Sequence, residues 1–595
     1  MKKTKKFLPT SAKAHCLIGL VSTFSPLIGA VTPGGSFADK ALISIDNTDG
    51  GETVSRATSA GGIGPAMVHD FNVAATDGSY EHNPTAADAT QIALSSGRHL
   101  VLYNTRFDDN SGTANDRSEL QSYLTLAGSP LVAGRSQGFI RRTGGADEAV
   151  MSGGAIITVA ADDDIMTLET RRSDNDTNTV LPFRVAGQSA IQLLKLDDSW
   201  DYLSAQRSTN QGGDVSTAAV DVTYDVLDAT SSLGSAFSFT PTSGNVTLNE
   251  TGLYLVFANT SLQKATNNTR TNFQQSLTLD GSIVPGSRTT TYVRGNEDTN
   301  EGMAAIGMIV SATAGQILNV EVAKEPTGAN GVIQGGETAL SIIKLPVAAK
   351  YIEVTDSTNQ NVVNSSETAI GFNSLSSSAN ATFTHAGGSS VTVNDDGDYL
   401  LFGSLFTQSN ATNDNNDRVI PITGFQIDGS GGRLNRGQGA AYNRDNANSR
   451  TSGSWGAAII ELTGGQTVEL TSQNVGTASG AFPNTPTMQG LSIDSLVVSN
   501  DPAIAVNLPI TVVPSSTGNV IGSSSLSTFD NDTPASSLSY TVVSVPAGGT
   551  LRNGGAEIGN GESFTQDDIN NNLVTFDAGN SVLSGGFEFT VSDGG

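Results

Sequence analysis

Three times along this chain the same landmarks return in the same order, and that recurrence limits the possible folds more than any single residue does. Gly252-Leu253-Tyr254-Leu255-Val256-Phe257 reappears as Gly397-Asp398-Tyr399-Leu400-Leu401-Phe402, and in a looser form as Gly97-Arg98-His99-Leu100-Val101-Leu102-Tyr103. Upstream, Phe71, Tyr224 and Phe372 stand 26, 28 and 25 residues before the respective glycines. Downstream come LTLAG at 124–128, LTLDG at 277–281 and FQIDG at 425–429, then Phe139, Tyr292 and Tyr442, each close to an arginine. Small-residue segments follow, as GGAII, GMAAIG and WGAAII. Each unit then closes on an apolar segment: SAIQLLKL at 189–196, TALSIIKL at 338–345 and GLSIDSLVV at 490–498. STNQ at 208–211 returns at 357–360, a shift of 149 residues. Units of this length exceed solenoid repeats, and each can bury a core of its own.

Within each unit, apolar residues alternate or form short runs rich in Val, Ile, Leu, Tyr and Thr, separated by turns such as GSGG, NDDG and TSGN. This is strand-and-turn chemistry without a sustained helical period. Many strands at this spacing predict a sandwich or jelly roll. The order Gly-x-Tyr-x-x-Phe, then a strand ending in Asp-Gly, then a closing strand such as ALSIIKL resembles the tumour necrosis factor and complement globular-head superfamily. The resemblance covers roughly residues 40–500. The first copy departs from it, with His99 where the others have tyrosine.

After Pro502 the pattern changes. DNDTPASSLSYTV, PAGGTL, FTQDDINNNLVTF and FEFTVSDGG follow one another in an order that resembles a bacterial cadherin-like repeat of the chondroitin sulfate proteoglycan type. Tyr540, Val542 and Val545 read as a strand, and Thr565 before Asp567 and Asp568 reads as a capped turn. The segment FEFTVS stands last, without the closing strand such a module needs, so the natural chain is expected to continue. The expected fold is all-β: a leader at 1–38, jelly rolls at 39–199, 200–347 and 348–500, and an immunoglobulin-like or cadherin-like β-sandwich at 501–595.

The leader expectation rests on five lysines with no acid ahead of an apolar stretch from Cys16 to Ala30, interrupted by Pro26, and a small-residue site Ser36-Phe37-Ala38. The stretch is too short and broken to span a bilayer, which takes roughly 20 apolar residues. No later segment is apolar enough to do so. Cys16 is the chain's one cysteine, so a processed chain forms no disulfide and each domain depends on its core. Formal charge is −27, or −32 without the five leader lysines. The six later lysines are scattered and the arginines form no stripe along the sequence, which argues against nucleic acid as a partner.

Catalytic signals are sparse. His69, His82, His99 and His385 have no zinc-type spacing, and no G-x-S-x-G elbow stands between a strand and a helix. Most of Asp108 and Asp109, Asp162 to Asp164, Asp197 and Asp198, and Asp395 and Asp396 read as turn carboxylates, with a glycosidase-type carboxylate pair as the alternative. Asp530 and Asp532, flanking Asn531, are the candidate Ca²⁺ ligands, since closely spaced carboxylates aim hard oxygen donors at one ion. No enzyme is expected of this chain. The expected role is that of a structural or adhesion protein, secreted or held at a bacterial cell surface, meeting other proteins or glycans there. The alternative is a glycan-binding accessory region of a secreted enzyme, for which Trp200 and Trp455 are the few large aromatic platforms.

One further expectation comes from strand geometry. Leu253, Leu255 and Phe257 point one way along their strand while Tyr254 and Val256 point the other, so both faces are apolar. Such a strand should associate, either as a trimer of chains or as three domains gathered within one chain; members of the superfamily resembled are typically trimers. Cover by a loop of the same domain is the competing outcome.

Overall fold

A computed structural model describes residues 13–19, 42–47, 50, 52–55, 66–71, 75–77, 80–82, 89–109, 117–141, 147–172, 182–264, 270–294, 300–326, 328–358, 360–375, 382–408, 418–429, 431–444, 450–475, 480–482, 484–496, 503–529, 535–546, 548–580 and 584–592. These fall into two compact units, one made of residues 39–496 and one of residues 1–38 with 497–595.

The larger unit contains three sandwiches built to one plan. In the first, one sheet runs Leu42–Asn47, Ser189–Lys195, Gly97–Asp108, Glu148–Val159. The second repeats that order as Tyr202–Arg207, Thr338–Lys344, Gly252–Lys264, Glu301–Ala312, and the third as Tyr351–Thr355, Asn484–Ser492, Gly397–Gln408, Thr451–Leu462. The opposing sheets also correspond, each placing second from one edge the strand that ends in the repeated turn: Arg117–Leu126, Arg270–Leu279 and Pro421–Ile427. All pairings are antiparallel, so these are jelly-roll sandwiches. The turns explain one part of the repeat. Asp280 and Gly281 have φ of 50° and 76°, and Asp428 and Gly429 have 53° and 58°, the left-handed pair that a tight hairpin requires and that Asp-Gly adopts readily.

Tyr254 and Tyr399 occupy equivalent places. Tyr254 lies opposite Val310 and Lys344, and Tyr399 opposite Ile460 and Ser492. Each hydroxyl donates to the carbonyl four residues upstream, Glu250 O and Asp395 O, both at 2.6 Å. His99, which broke the sequence pattern, sits in the same register opposite Ile157 and Lys195, and its Nε2 lies 2.9 Å from the carbonyl of Ser95, again four residues upstream. The imidazole therefore replaces the phenol in the same bond.

The smaller unit holds one sandwich. Ser539–Ser544 lies between Ser563–Thr565 and Ser584–Ser592, and a second sheet joins Asn519–Val520, Val574–Ala578, Gly549–Asn553 and Ala556–Glu557. Its core stacks Tyr540 on Phe564 at 5.0 Å, with Phe587 and Phe589 beside them. The capped turn is realised as a helix over Gln566–Asn570, where the Thr565 hydroxyl accepts from Asp568 N–H and Asp568 accepts from Thr565 N–H. The edge of Ser584–Ser592 expected to lack its closing strand pairs in this unprocessed chain with Lys13–Gly19, part of the expected leader, over seven residues from Lys13 opposite Thr590 to Gly19 opposite Ser584. Once the leader is removed that edge is open, a row of backbone donors and acceptors that another extended segment can satisfy.

Candidate functional site: the centre of the three-domain ring

The strand carrying the repeated signature has two apolar faces because each meets a different core. Tyr254 packs edge-on against Phe237, and Tyr399 against Phe383, inside their own sandwiches. The other face looks out at neighbouring domains. Phe257 lies 6.1 Å from Phe402 and 6.2 Å from Trp455, and it shares one continuous core with Leu100, Leu102 and Ile156 of the first domain. The expected association is thus realised as three domains gathered within one chain.

The small-residue strands make this approach possible. A side chain at Gly154 would come within 2.5 Å of the Phe257 ring, and one at Gly307 would strike both Phe257 and Trp455. Glycine is needed here for close approach rather than for backbone conformation.

Polar contacts fix the order of the ring. Gln192 in the first domain donates to Ile459 O at 2.6 Å and accepts from Ile459 N–H at 2.9 Å in the third. Gln489 in the third does the same to Ile309 of the second, at 2.8 and 2.9 Å. In the second domain the matching position is Ser341, too short to reach, and the Tyr202 hydroxyl donates instead to Ile156 O of the first at 2.9 Å. Asn104 and Asn259 repeat this direction, Asn104 bridging Asn435 O and Gly437 N–H, Asn259 bridging Val132 O and Gly134 N–H. Each of these clamps runs from first to third, third to second or second to first, which makes a closed heterologous ring.

Phe139, Tyr292 and Tyr442, one from each domain, meet at the centre. Their ring centroids are 4.8, 4.8 and 4.7 Å apart, an aromatic triangle on a pseudo-threefold axis. A cavity of about 30 Å³, lined by Glu119, Thr291 and Ala441 among others, lies against these rings, room for about one water. Beside the triangle are the arginines that the sequence placed near each aromatic. Arg117 stands opposite Arg141, Arg270 opposite Arg294 and Arg418 opposite Arg444, each pair within one domain. The pairs converge across the axis: Arg141 feels Arg270 and Arg418, Arg117 feels Arg294, and Arg444 feels Arg270. Burial and then these neighbouring cations lower the proton affinity of Arg117, while Arg141, Arg294 and Arg444 are lowered chiefly by burial, being only 8, 9 and 9% exposed. Buried Lys264 lies next to Arg294 and is lowered to about 8, by burial first. The reading that the arginines form no stripe therefore holds along the chain but not in space, because strand pairing brings together residues far apart in sequence.

The remaining candidates from the sequence have structural places. His69, His82 and His99 are buried, with His69 Nε2 2.8 Å from Thr170 Oγ1 and His82 between the carbonyls of Phe71 and Gln91. Asp162 accepts from Ser96 N–H and Asp198 from Arg98 N–H, at turns as expected. Trp455 is 5% exposed in the inter-domain core, which removes it as a sugar-stacking platform, and Trp200 is half-buried against the same core. Between the second and third domains a cavity of about 410 Å³ is bordered by Ile283, Arg288, Asp356, Ser374 and Pro486.

The smaller unit keeps the landmark order of its sequence: strand Ser539–Ser544, turn into Gly549–Asn553, capped helix, and strand Val574–Ala578. Residues 502–595 match the family model described as cadherin-like. Asp530 and Asp532 of this cadherin-like module lie outside the described residues, and among the described residues no group of three His, Cys, Asp or Glu is placed to hold a metal ion. No curated protein sequence matches the chain. Among solved structures, the globular domain of zebrafish complement 1qA is 14% identical, with 24% of this chain and 97% of that one covered at a TM-score of 0.18. Eiger TNF from S. frugiperda is 14% identical over 25% and 93%, at 0.17. PNGF-II is 9% identical over 51% and 65%, at 0.21. The jelly-roll assignment rests on the sheet orders given above. Among the described residues no helix is long and apolar enough to cross a membrane.

Proposed function

We propose that this chain is an exported structural or adhesion protein whose three jelly rolls act as one rigid, ring-shaped binding head and whose cadherin-like module adds a further binding segment. The observation that carries this reading is the closed ring itself. Conserving a glutamine or tyrosine clamp at each interface holds three similar loop sets in fixed relation, which suits multivalent recognition. The buried Trp455 weighs against the glycan-accessory alternative. Beads coated with the chain are expected to cluster with one another or to coat cells, in proportion to coating density. Beads that do neither, while the same chain hydrolyses a glycan or peptide library, would replace this reading with a catalytic one.

Calcium belongs to the same proposal. Residues 501–595 carry ten acids and one base, Arg552, hence −9, a repulsion that a divalent cation bound at Asp530 and Asp532 relieves. Millimolar Ca²⁺ is expected to raise the melting temperature of the chain saturably, and the rise should shrink in Asp532→Ala. An unchanged melting temperature disposes of the site.

A further inference from the structure

Like charges placed directly opposite one another on paired antiparallel strands destabilise the pair. This chain does so at the same place in all three domains, with Arg117 facing Arg141, Arg270 facing Arg294 and Arg418 facing Arg444. Arg141, Arg294 and Arg444 each stand two residues beyond one ring of the aromatic triangle, so its closure brings the three pairs toward one another at the axis. In a chain with a net charge of −27, six of the 31 lysines and arginines converge at this point. Their floor is the aromatic triangle, where the hydroxyl of buried Tyr442 has no hydrogen-bond partner among the described residues, and Arg117 and Arg270 each keep a buried Nε without one among them.

We propose that this arginine ring binds a compact multivalent oxyanion of the phosphate or sulfate type on the pseudo-threefold axis. A guanidinium presents a planar fork of donors that matches two oxygens of such an ion, and a lysine could not substitute for that geometry. A tetrahedral oxyanion viewed down one of its bonds to oxygen has threefold symmetry, so each domain's arginine pair meets an equivalent oxygen. The Tyr442 hydroxyl supplies a donor from below. A long polyanion is disfavoured, since the rest of the molecule is strongly acidic and would repel whatever extends beyond the ring. A free ion and a phosphate or sulfate ester at the tip of a larger molecule share this chemistry. The proposal does not depend on adhesion.

The test uses the full chain at constant ionic strength, titrated with inorganic phosphate, sulfate, tripolyphosphate and, as the ester, glucosamine 6-sulfate. At least one is expected to raise the melting temperature saturably, where chloride at matched ionic strength does not. The same ion should protect Arg117 and Arg270 from phenylglyoxal, read by mass spectrometry on the unaltered protein. Arg117→Gln with Arg270→Gln is expected to abolish the rise while leaving the ion-free melting temperature equal or higher, because repulsion has been relieved. Arg117→Lys with Arg270→Lys keeps the charge and should weaken apparent affinity about tenfold, the fork being lost. Protection by the ester but not by the free ions assigns the site to a ligand tip, and the reverse assigns it to a free ion. No saturable rise and no protection with any probe, an equal rise in chloride, or a rise that survives in the glutamine variant overturns the proposal.

Discussion

Exchanging two aromatic positions in the first domain, Tyr80→Phe with His99→Tyr, is expected to leave the fold intact at neutral pH and to remove a large part of its acid sensitivity. The three domains solve one packing problem in two ways. The second pairs Phe237 with Tyr254 at 5.7 Å and the third Phe383 with Tyr399 at 5.5 Å, whereas the first pairs Tyr80 with His99 at 5.3 Å. The hydroxyl has moved to the other ring, where it meets His99 Nδ1 at 2.9 Å. Burial, with Lys195 adding to it, holds the His99 imidazole down at about 4 against an ordinary 6.5. Between those values the unfolded chain takes up a proton that the folded chain refuses. Stability therefore falls as pH drops from about 6.5 toward 4, by about 3 kcal/mol for this group. His69, held at about 3 by burial and then by Arg184, adds a loss of the same sign. Melting temperature measured from pH 7 to 4 should fall less steeply in the double variant than in the parent. His99→Tyr alone, which leaves two hydroxyls crowding one site, should be destabilised at every pH. Equal slopes for the double variant and the parent would acquit His99.

Gln192→Leu and Gln489→Leu are expected to cost about 2–4 kcal/mol each, because each strips both hydrogen bonds from a buried peptide of the next domain and leaves an N–H and a carbonyl unpaired. The affected peptides are at Ile459 and Ile309. Tyr202→Phe removes a single bond, to Ile156 O, and should cost about 1 kcal/mol. The two glutamine changes sit in different interfaces, so their costs should add within about 0.5 kcal/mol. Denaturant unfolding of the full chain gives the comparison. A glutamine variant no costlier than Tyr202→Phe would mean that the amide bridges do not hold the ring.

The repeat, the strand chemistry and the equivalence of Tyr254 with Tyr399 were legible in the sequence because each is local or periodic. The two-faced strand at Leu253 to Phe257 also announced that something covers its outer side. Which partner covers it was not legible, since a strand's pattern records burial and not the identity of the neighbour. The roles of Gln192 and Gln489 were not legible for a related reason. Their signal was present, a long polar residue in the middle of an otherwise apolar closing strand, but its meaning depends on a peptide 267 or 180 residues away. The arginines illustrate the same limit. Spacing along the chain separates Arg117, Arg270 and Arg418 by about one domain each, and only the closure of the ring brings them to a common axis. His99 departs from the repeat in sequence but not in role, because the bond it makes to the fourth residue upstream is visible only once the backbone is placed.

A ring of three separate chains must meet by diffusion and falls apart on dilution. Here the strands that end at Lys195 and Lys344 and resume at Tyr202 and Tyr351 leave joints of only six residues, 196–201 and 345–350. Short joints of this kind hold neighbours at an effective concentration in the millimolar range, so the head persists however scarce the protein becomes. The tether also frees the three copies from being identical. A change in one subunit of a true trimer appears three times around the axis, whereas in this chain Phe139 can lack the hydroxyl that Tyr292 and Tyr442 carry. The centre can thus acquire a front and a back, and with them a preferred orientation for whatever docks there.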